Sequence, residues 1–197
     1  MVQLNRIHNK VNRMTGLTLV EVMIGVVVLG IVLAVAVPNF SSLIESNKLT
    51  NVSNAMLRGM SLARSEAIKQ NTSTLFCHSV NGQTCASVGE AGWSGYLIRA
   101  IDDSTPIYAQ QFEPGILVYS DANIASSSFD SQSDVIRFTA FGLARSGQSN
   151  NALNGELTLC APSIKDKINS RTLRIYSGGR MQIIEPESNI ACGGDEQ

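Results

Sequence analysis

The chain has 197 residues, 15 basic and 16 acidic side chains, and a formal net charge of −1. That balance argues against a protein held to nucleic acid mainly by a basic surface, because neutralising phosphates normally demands a net positive domain. Hydrophobic residues are 44% of the chain, and their densest run lies near the N-terminus, so the reading begins there.

Met1 to Gly16 carries Arg6, Lys10 and Arg13 and no acid, the bias of a cytoplasmic flank. Gly16 to Pro38 reads GLTLVEVMIGVVVLGIVLAVAVP, with Glu21 its single charge. A carboxylate in a lipid-facing helix costs about 2.5 kcal/mol or more unless paired, so Glu21 is a functional candidate. A cut between Gly16 and Leu17 would create an α-amine about one helical turn from Glu21, and the amine of a neighbouring copy could pair with its carboxylate. These residues resemble the N-terminus of a type IV pilin or pseudopilin precursor: Gly16 ends the leader, Leu17 stands where phenylalanine is usual, and Thr18, Leu19 and Glu21 fit the motif. The resemblance implies cleavage before Leu17 by a prepilin peptidase, N-methylation of Leu17, and a subunit-pairing role for Glu21 in a filament. Two plainer readings compete. An uncut single-span anchor is one. A secretory signal peptide cut before Val37, after Ala34-Val35-Ala36, is the other, but its apolar core would exceed the usual ~7–15 residues and would leave Glu21 unexplained.

Without the leader the chain holds 12 basic and 16 acidic residues, a formal charge of −4. Roughly 160 residues lie beyond the apolar run, enough for one periplasmic domain. Cys77, Cys85, Cys160 and Cys192 all fall there, and an even number suggests disulfides in an oxidising compartment. Three pairings are possible. Cys77 with Cys85, closing a Gly-containing loop, and Cys160 with Cys192, tying the tail to a strand, are favoured. No paired C-x-x-C or H-x-x-x-H spacing supports zinc at His78.

The helical pattern continues past Pro38 through Phe40, Leu43, Ile44, Val52, Met56, Met60, Ala63 and Ala67, interleaved with charge. It predicts one helix from Leu17 to about Gln70, on the order of 80 Å long at 1.5 Å per residue. Gly30 and Pro38 are its weak points. The period then shortens to two, predicting strands at Ser73–His78, Gly95–Ala100, Ile107–Phe112, Ile116–Tyr119, Val135–Thr139, Glu156–Cys160, Thr172–Tyr176 and Met181–Ile184. Ser177 to Arg180 reads as a hairpin turn, and Ala122–Asp134 and Arg145–Gly155 as loops. The expected fold class is α+β, a type IV pilin fold: leader 1–16, transmembrane helix 17–37, amphipathic helix 38–70, and a β-rich periplasmic domain 71–197.

Further motifs follow in order: Ala63-Arg64-Ser65-Glu66-Ala67-Ile68, Gly92-Trp93-Ser94-Gly95-Tyr96, Phe138-Thr139-Ala140-Phe141-Gly142, and Gly179-Arg180. Together they resemble the pseudopilin H family, which includes the FimT and FimU minor pilins. Read as plain structure, the first is helix surface with an internal Arg–Glu pair, and Trp93 is a core aromatic. The resemblance implies a non-catalytic minor pilin of a type IV pilus, anchored in the inner membrane and priming assembly with other major and minor pilins. Its further partners would be the prepilin peptidase, the inner-membrane assembly platform and membrane lipid. A pseudopilin of type II secretion is the alternative. A second alternative is a DNA receptor using Lys165, Lys167, Arg171, Arg174 and Arg180, which face only Asp166 between Cys160 and Ile184. Met181 and Gln182 break any arginine run after Arg180, so nucleic acid is not favoured. An enzyme is disfavoured because Gly92-Trp93-Ser94-Gly95 lacks the final glycine of G-x-S-x-G and His78 is the only histidine beyond the leader. No cofactor is expected. Calcium at Asp121, Asp130 or Asp134 is disfavoured too, since their spacing matches no EF-hand loop.

Overall fold

The computed structural model describes residues 16, 18–89, 92–164, 168–186 and 192, and side chains within the helix are described except at 34–41. The chain divides into two units, residues 1–40 and 41–197. One helix, α1 (Leu19–Gln70), supplies residues to both. Its start is set by Thr18, whose hydroxyl accepts from the Glu21 amide at 3.2 Å. Its end is a left-handed cap: Asn71 adopts φ 51°, the Thr72 amide reaches the Ala67 carbonyl and the Asn71 amide reaches that of Ile68.

In the first unit the described side chains from Leu19 to Leu33 are exposed and almost wholly apolar. Among the described residues, no helix is long and apolar enough to cross a membrane. The expected 17–37 span extends into positions whose side chains lie outside that description.

In the second unit α1 buries Leu49, Val52, Met56, Met60, Ala63 and Ala67, at steps of three and four residues. The face is narrower than the sequence pattern, because Leu43 and Ile44 remain 48% and 50% exposed. Among the described residues nine strands follow: β1 (Thr74–His78), β2 (Gly95–Ala100), β3 (Pro106–Gln111), β4 (Leu117–Ser120), β5 (Ile136–Phe138), β6 (Ala144–Ser146), β7 (Gly155–Cys160), β8 (Ser170–Ile175) and β9 (Met181–Ile184). They form two antiparallel sheets, ordered β3-β2-β1-β5-β6 and β4-β7-β8-β9. One face of each meets α1 in a shared core that includes Phe76, Ile98, Ile136 and Phe138 from the first sheet and Val118, Leu157, Leu159, Leu173 and Ile175 from the second. Main-chain bonds from Trp93 to Val118 and from Ala144 to Ser177 link the sheets.

Two elements stand where loops were expected. Asp121 accepts from the Ile124 amide at 2.9 Å and caps a one-turn helix, α2 (Ala122–Ala125), that buries Ile124. β6 is only three residues, enters a Gly- and Asn-rich stretch that reads as loop, and pairs with β5 at the edge of its sheet. The β8–β9 hairpin closes through bonds from Gly179 to the Tyr176 carbonyl and from Tyr176 to the Arg180 carbonyl, with Gly179 at φ +77°. Positive φ there is the reason a glycine stands at that position.

Candidate functional site

At the N-terminal end Gly16 and Glu21 are exposed, and Leu17 lies outside the described residues. Thr18 and Glu21 occupy the cap and third helical positions, the spacing of a capping box, and an acid there also faces the positive end of the helix dipole. Glu21 therefore suits the helix start locally while leaving its carboxylate open to a partner. A Cβ added at Gly30 would meet nothing within 4 Å, so no contact among the described residues requires that glycine. α1 is continuous through Gly30 and Pro38, and the side chain of Pro38 lies outside the description.

Three of the separated motifs converge at the far end of α1. Arg64 Nε donates to the Gly142 carbonyl at 3.0 Å, across 78 residues of sequence. Gly142 lies at φ +72°, and a Cβ on it would approach Arg64 Nε and Ile68 Cδ1 to 2.9 Å. A Cβ on Gly179 would overlap the Gly142 carbonyl oxygen and also crowd Arg64. Both glycines are thus needed for the β5–β6 and β8–β9 turns to pack on one arginine. Among the described residues the Arg–Glu pair of the plain structural reading does not form: Glu66 instead takes Gln70 at 2.8 Å and Lys69 at 3.2 Å, and these bonds hold its pKa below the ordinary carboxylate value. At the tip of the same turn Phe141 is 86% exposed.

The aromatic motif is core. Trp93 is buried, stacks on Phe76 at 5.8 Å and donates its indole N–H to Ser120 Oγ at 3.0 Å. Tyr96 lies over α1 at Gly59, where an added Cβ would come within 2.5–2.7 Å of its ring and hydroxyl. Its hydroxyl faces the Ala55 carbonyl and Gln110 Oε1 at 3.2 and 3.1 Å, and burial raises the phenol pKa well above the ordinary value.

Lys165 and Lys167 lie outside the described residues. The other three basic candidates are not one free patch. Arg171 pairs with Glu185 at 2.6 Å and Arg174 with Glu156 at 2.5 Å, two acids just beyond the Cys160–Ile184 window. The Glu156 bond raises the Arg174 pKa. Strand alternation also places Arg171 on the side of Leu173 and Ile175, and Arg174 on the opposite side. Arg180 packs over the Tyr176 ring at 5.6 Å and bonds Gln182 at 2.7 Å.

Disulfides join Cys77 to Cys85 and Cys160 to Cys192, with Cα separations of 5.6 and 5.7 Å. His78, next to the first, is buried, with Nε2 3.0 Å from Ser94 Oγ and Nδ1 3.3 Å from the Ala86 carbonyl. A backbone carbonyl can only accept, so Nδ1 is the nitrogen that donates to Ala86. A backbone carbonyl, rather than a carboxylate, stands where a triad places its acid. Asp121 caps α2, Asp130 sits 3.8 Å from Arg99, and the buried Asp134 accepts from Ser133 Oγ at 2.7 Å. Among the described residues no group of three or more His, Cys, Asp or Glu side chains could hold a metal ion.

Residues 52–179 match the family model described as type II transport protein GspH. The chain belongs to the GspH family. Residues 11–37 of this GspH-family chain match the prokaryotic N-terminal methylation motif, which contains Gly16, Leu17 and Glu21. Among solved structures, the type IV minor pilin FimU of Pseudomonas aeruginosa is similar at 17% identity and TM-score 0.49, over 73% of this chain and 96% of that one. The minor pseudopilin EpsH of the Vibrio cholerae type 2 secretion system is similar at 7% identity and TM-score 0.47, over 72% and 99%. No curated protein matches the chain in sequence.

Proposed function

We propose that this chain is a non-catalytic minor pilin, processed before Leu17, stored in the inner membrane through α1 and used to prime a pilin filament with other pilins. The carrying observation is that one chain joins a methylation motif, with an exposed Glu21 heading an exposed apolar helix, to a GspH domain. Within a filament core, a carboxylate near one end of an apolar helix rewards the axial stagger that brings it a neighbour's amine and penalises others. The prepilin peptidase, the assembly platform and membrane lipid are the partners this route requires. The family description favours a second reading, a pseudopilin of type II secretion, which uses the same subunit chemistry. The DNA-receptor reading stands behind both, because Arg171 and Arg174 already have carboxylate partners.

Glu21→Ala tests the proposal. The variant is expected to reach normal levels in the membrane and to fall several-fold in sheared filaments, both measured by immunoblot. Equal amounts of mutant and wild type in the filament fraction would remove the pairing argument.

A further inference from the structure

The five-stranded sheet has a second face, turned away from α1. Leu75, Cys77, Leu97 and Val135 lie buried there, with Cys85 and Phe129 packed against them. Strand register sets Arg99 opposite Leu75, Leu75 opposite Arg137, and Arg137 opposite Arg145, so three arginines share one row across β2, β1, β5 and β6. Arg99 is accommodated within the chain: Asp130 lies 3.8 Å away and the Phe129 ring centroid 5.6 Å away. Arg137 and Arg145 are directly opposed like charges, an unfavourable cross-strand pair. Among the described residues, neither forms an ion pair.

Their hydrogen bonds go to neutral oxygens instead. Arg137 Nη2 donates to the Ser149 carbonyl at 2.8 Å and to Asn150 Oδ1 at 3.2 Å. Arg145 Nη1 donates to the carbonyls of Ala144 at 2.9 Å and Ser177 at 3.2 Å. These bonds orient both guanidinium groups without cancelling either charge. Arg137 Nε is moreover shut from solvent with no partner, so its cation is only partly solvated. Burial and the Arg145 charge both push the Arg137 pKa down. A cation that has lost part of its hydration gains more than a solvated one from an anion on its open edge.

We propose that Arg137 and Arg145 form a binding site for a phosphate-class dianion, with the Asn150 amide beside it. The charge decides the class. Two guanidinium groups match one dianion, whereas a carboxylate or a single phosphodiester neutralises only one of them. The two arginines lie on the five-stranded sheet, whereas Arg171 and Arg174 lie on the four-stranded one, which Arg145 meets only at the Ser177 carbonyl.

The test is calorimetric titration of the full chain in neutral detergent at constant ionic strength, using inorganic phosphate, glycerol 3-phosphate and a short single-stranded oligonucleotide against chloride. Saturable 1:1 binding of phosphate is expected, weakened about tenfold or more by Arg145→Gln and by Arg137→Gln and unchanged by Arg180→Gln. Binding of glycerol 3-phosphate as well would make an esterified phosphate the source, and binding of inorganic phosphate alone would make it the free anion. Because either substitution could disturb the sheet, arginine Nε–H resonances of the wild-type chain give a second readout. Phosphate should move those of Arg137 and Arg145 and leave that of Arg180 in place. The proposal is overturned if wild type shows no binding beyond the chloride control, if binding survives both substitutions, or if the oligonucleotide binds as tightly as phosphate.

Discussion

Gly59 and Tyr96 show how one missing side chain positions a domain on its helix. Glycine in a helix interior costs about 1 kcal/mol against alanine, so Gly59→Ala would stabilise an isolated α1. In the folded chain the added Cβ would overlap the Tyr96 ring, and the ring cannot withdraw freely because it also contacts Phe76 at 4.8 Å. The variant is expected to lower stability by about 1–3 kcal/mol in denaturant titrations, the usual cost of overpacking. Tyr96 also gives a signed pH effect. Burial raises its folded-state pKa, so the folded state holds the phenol proton more tightly than the unfolded chain does. The resulting stability is complete below pH 10.0, the ordinary tyrosine value, and is lost progressively as pH rises past it. Denaturation midpoints measured from about pH 8 to pH 11 should fall more steeply for wild type than for Tyr96→Phe. Parallel slopes would show that Tyr96 does not carry the alkaline loss.

At the scale of elements, the two disulfides close loops of very different length, with sequence separations of 8 and 32. Chain entropy assigns the shorter about 2.5 kcal/mol and the longer about 3.7 kcal/mol. Replacing Cys160 and Cys192 together by serine should therefore lower the melting temperature more than replacing Cys77 and Cys85. The reverse order would mean that the short loop does more than restrict the unfolded chain. The long helix and eight strands could be read from the sequence because period or turn-bounded apolar runs mark them: a step of three to four residues along Leu49 to Ala67, and a step of two along β7, where Leu157 and Leu159 face inward and Glu156 and Thr158 do not. β6 and α2 escaped because they stand at the edges of Ser-, Asp-, Gly- and Asn-rich stretches, whose composition reads as loop. Their formation depends on β5 and on the Asp121 cap. The surroundings of the basic hairpin were hidden from the sequence for a related reason. A charge sum over Cys160 to Ile184 excludes Glu156 and Glu185, which antiparallel pairing brings back beside Arg174 and Arg171. Arg137 and Arg145, eight residues apart, gave no local signal and meet only through register.

Across the whole molecule, the two units carry different tasks. Residues 41–197 form a domain with its own core, in which α1, both sheets and the Arg64 junction hold the family motifs together. Among the described residues, the first unit contributes exposed apolar surface and one exposed acid. Such a segment is costly in water and acceptable in lipid or among copies of itself, which links the domain to a membrane-to-filament route. The route requires a new amine within reach of Glu21, so the position of the cut is its central claim. Mass spectrometry of the N-terminal peptide from the mature protein decides it most directly. The account predicts a chain that begins at Leu17 with a methylated α-amine; a start at Val37, or an intact Met1, would contradict it.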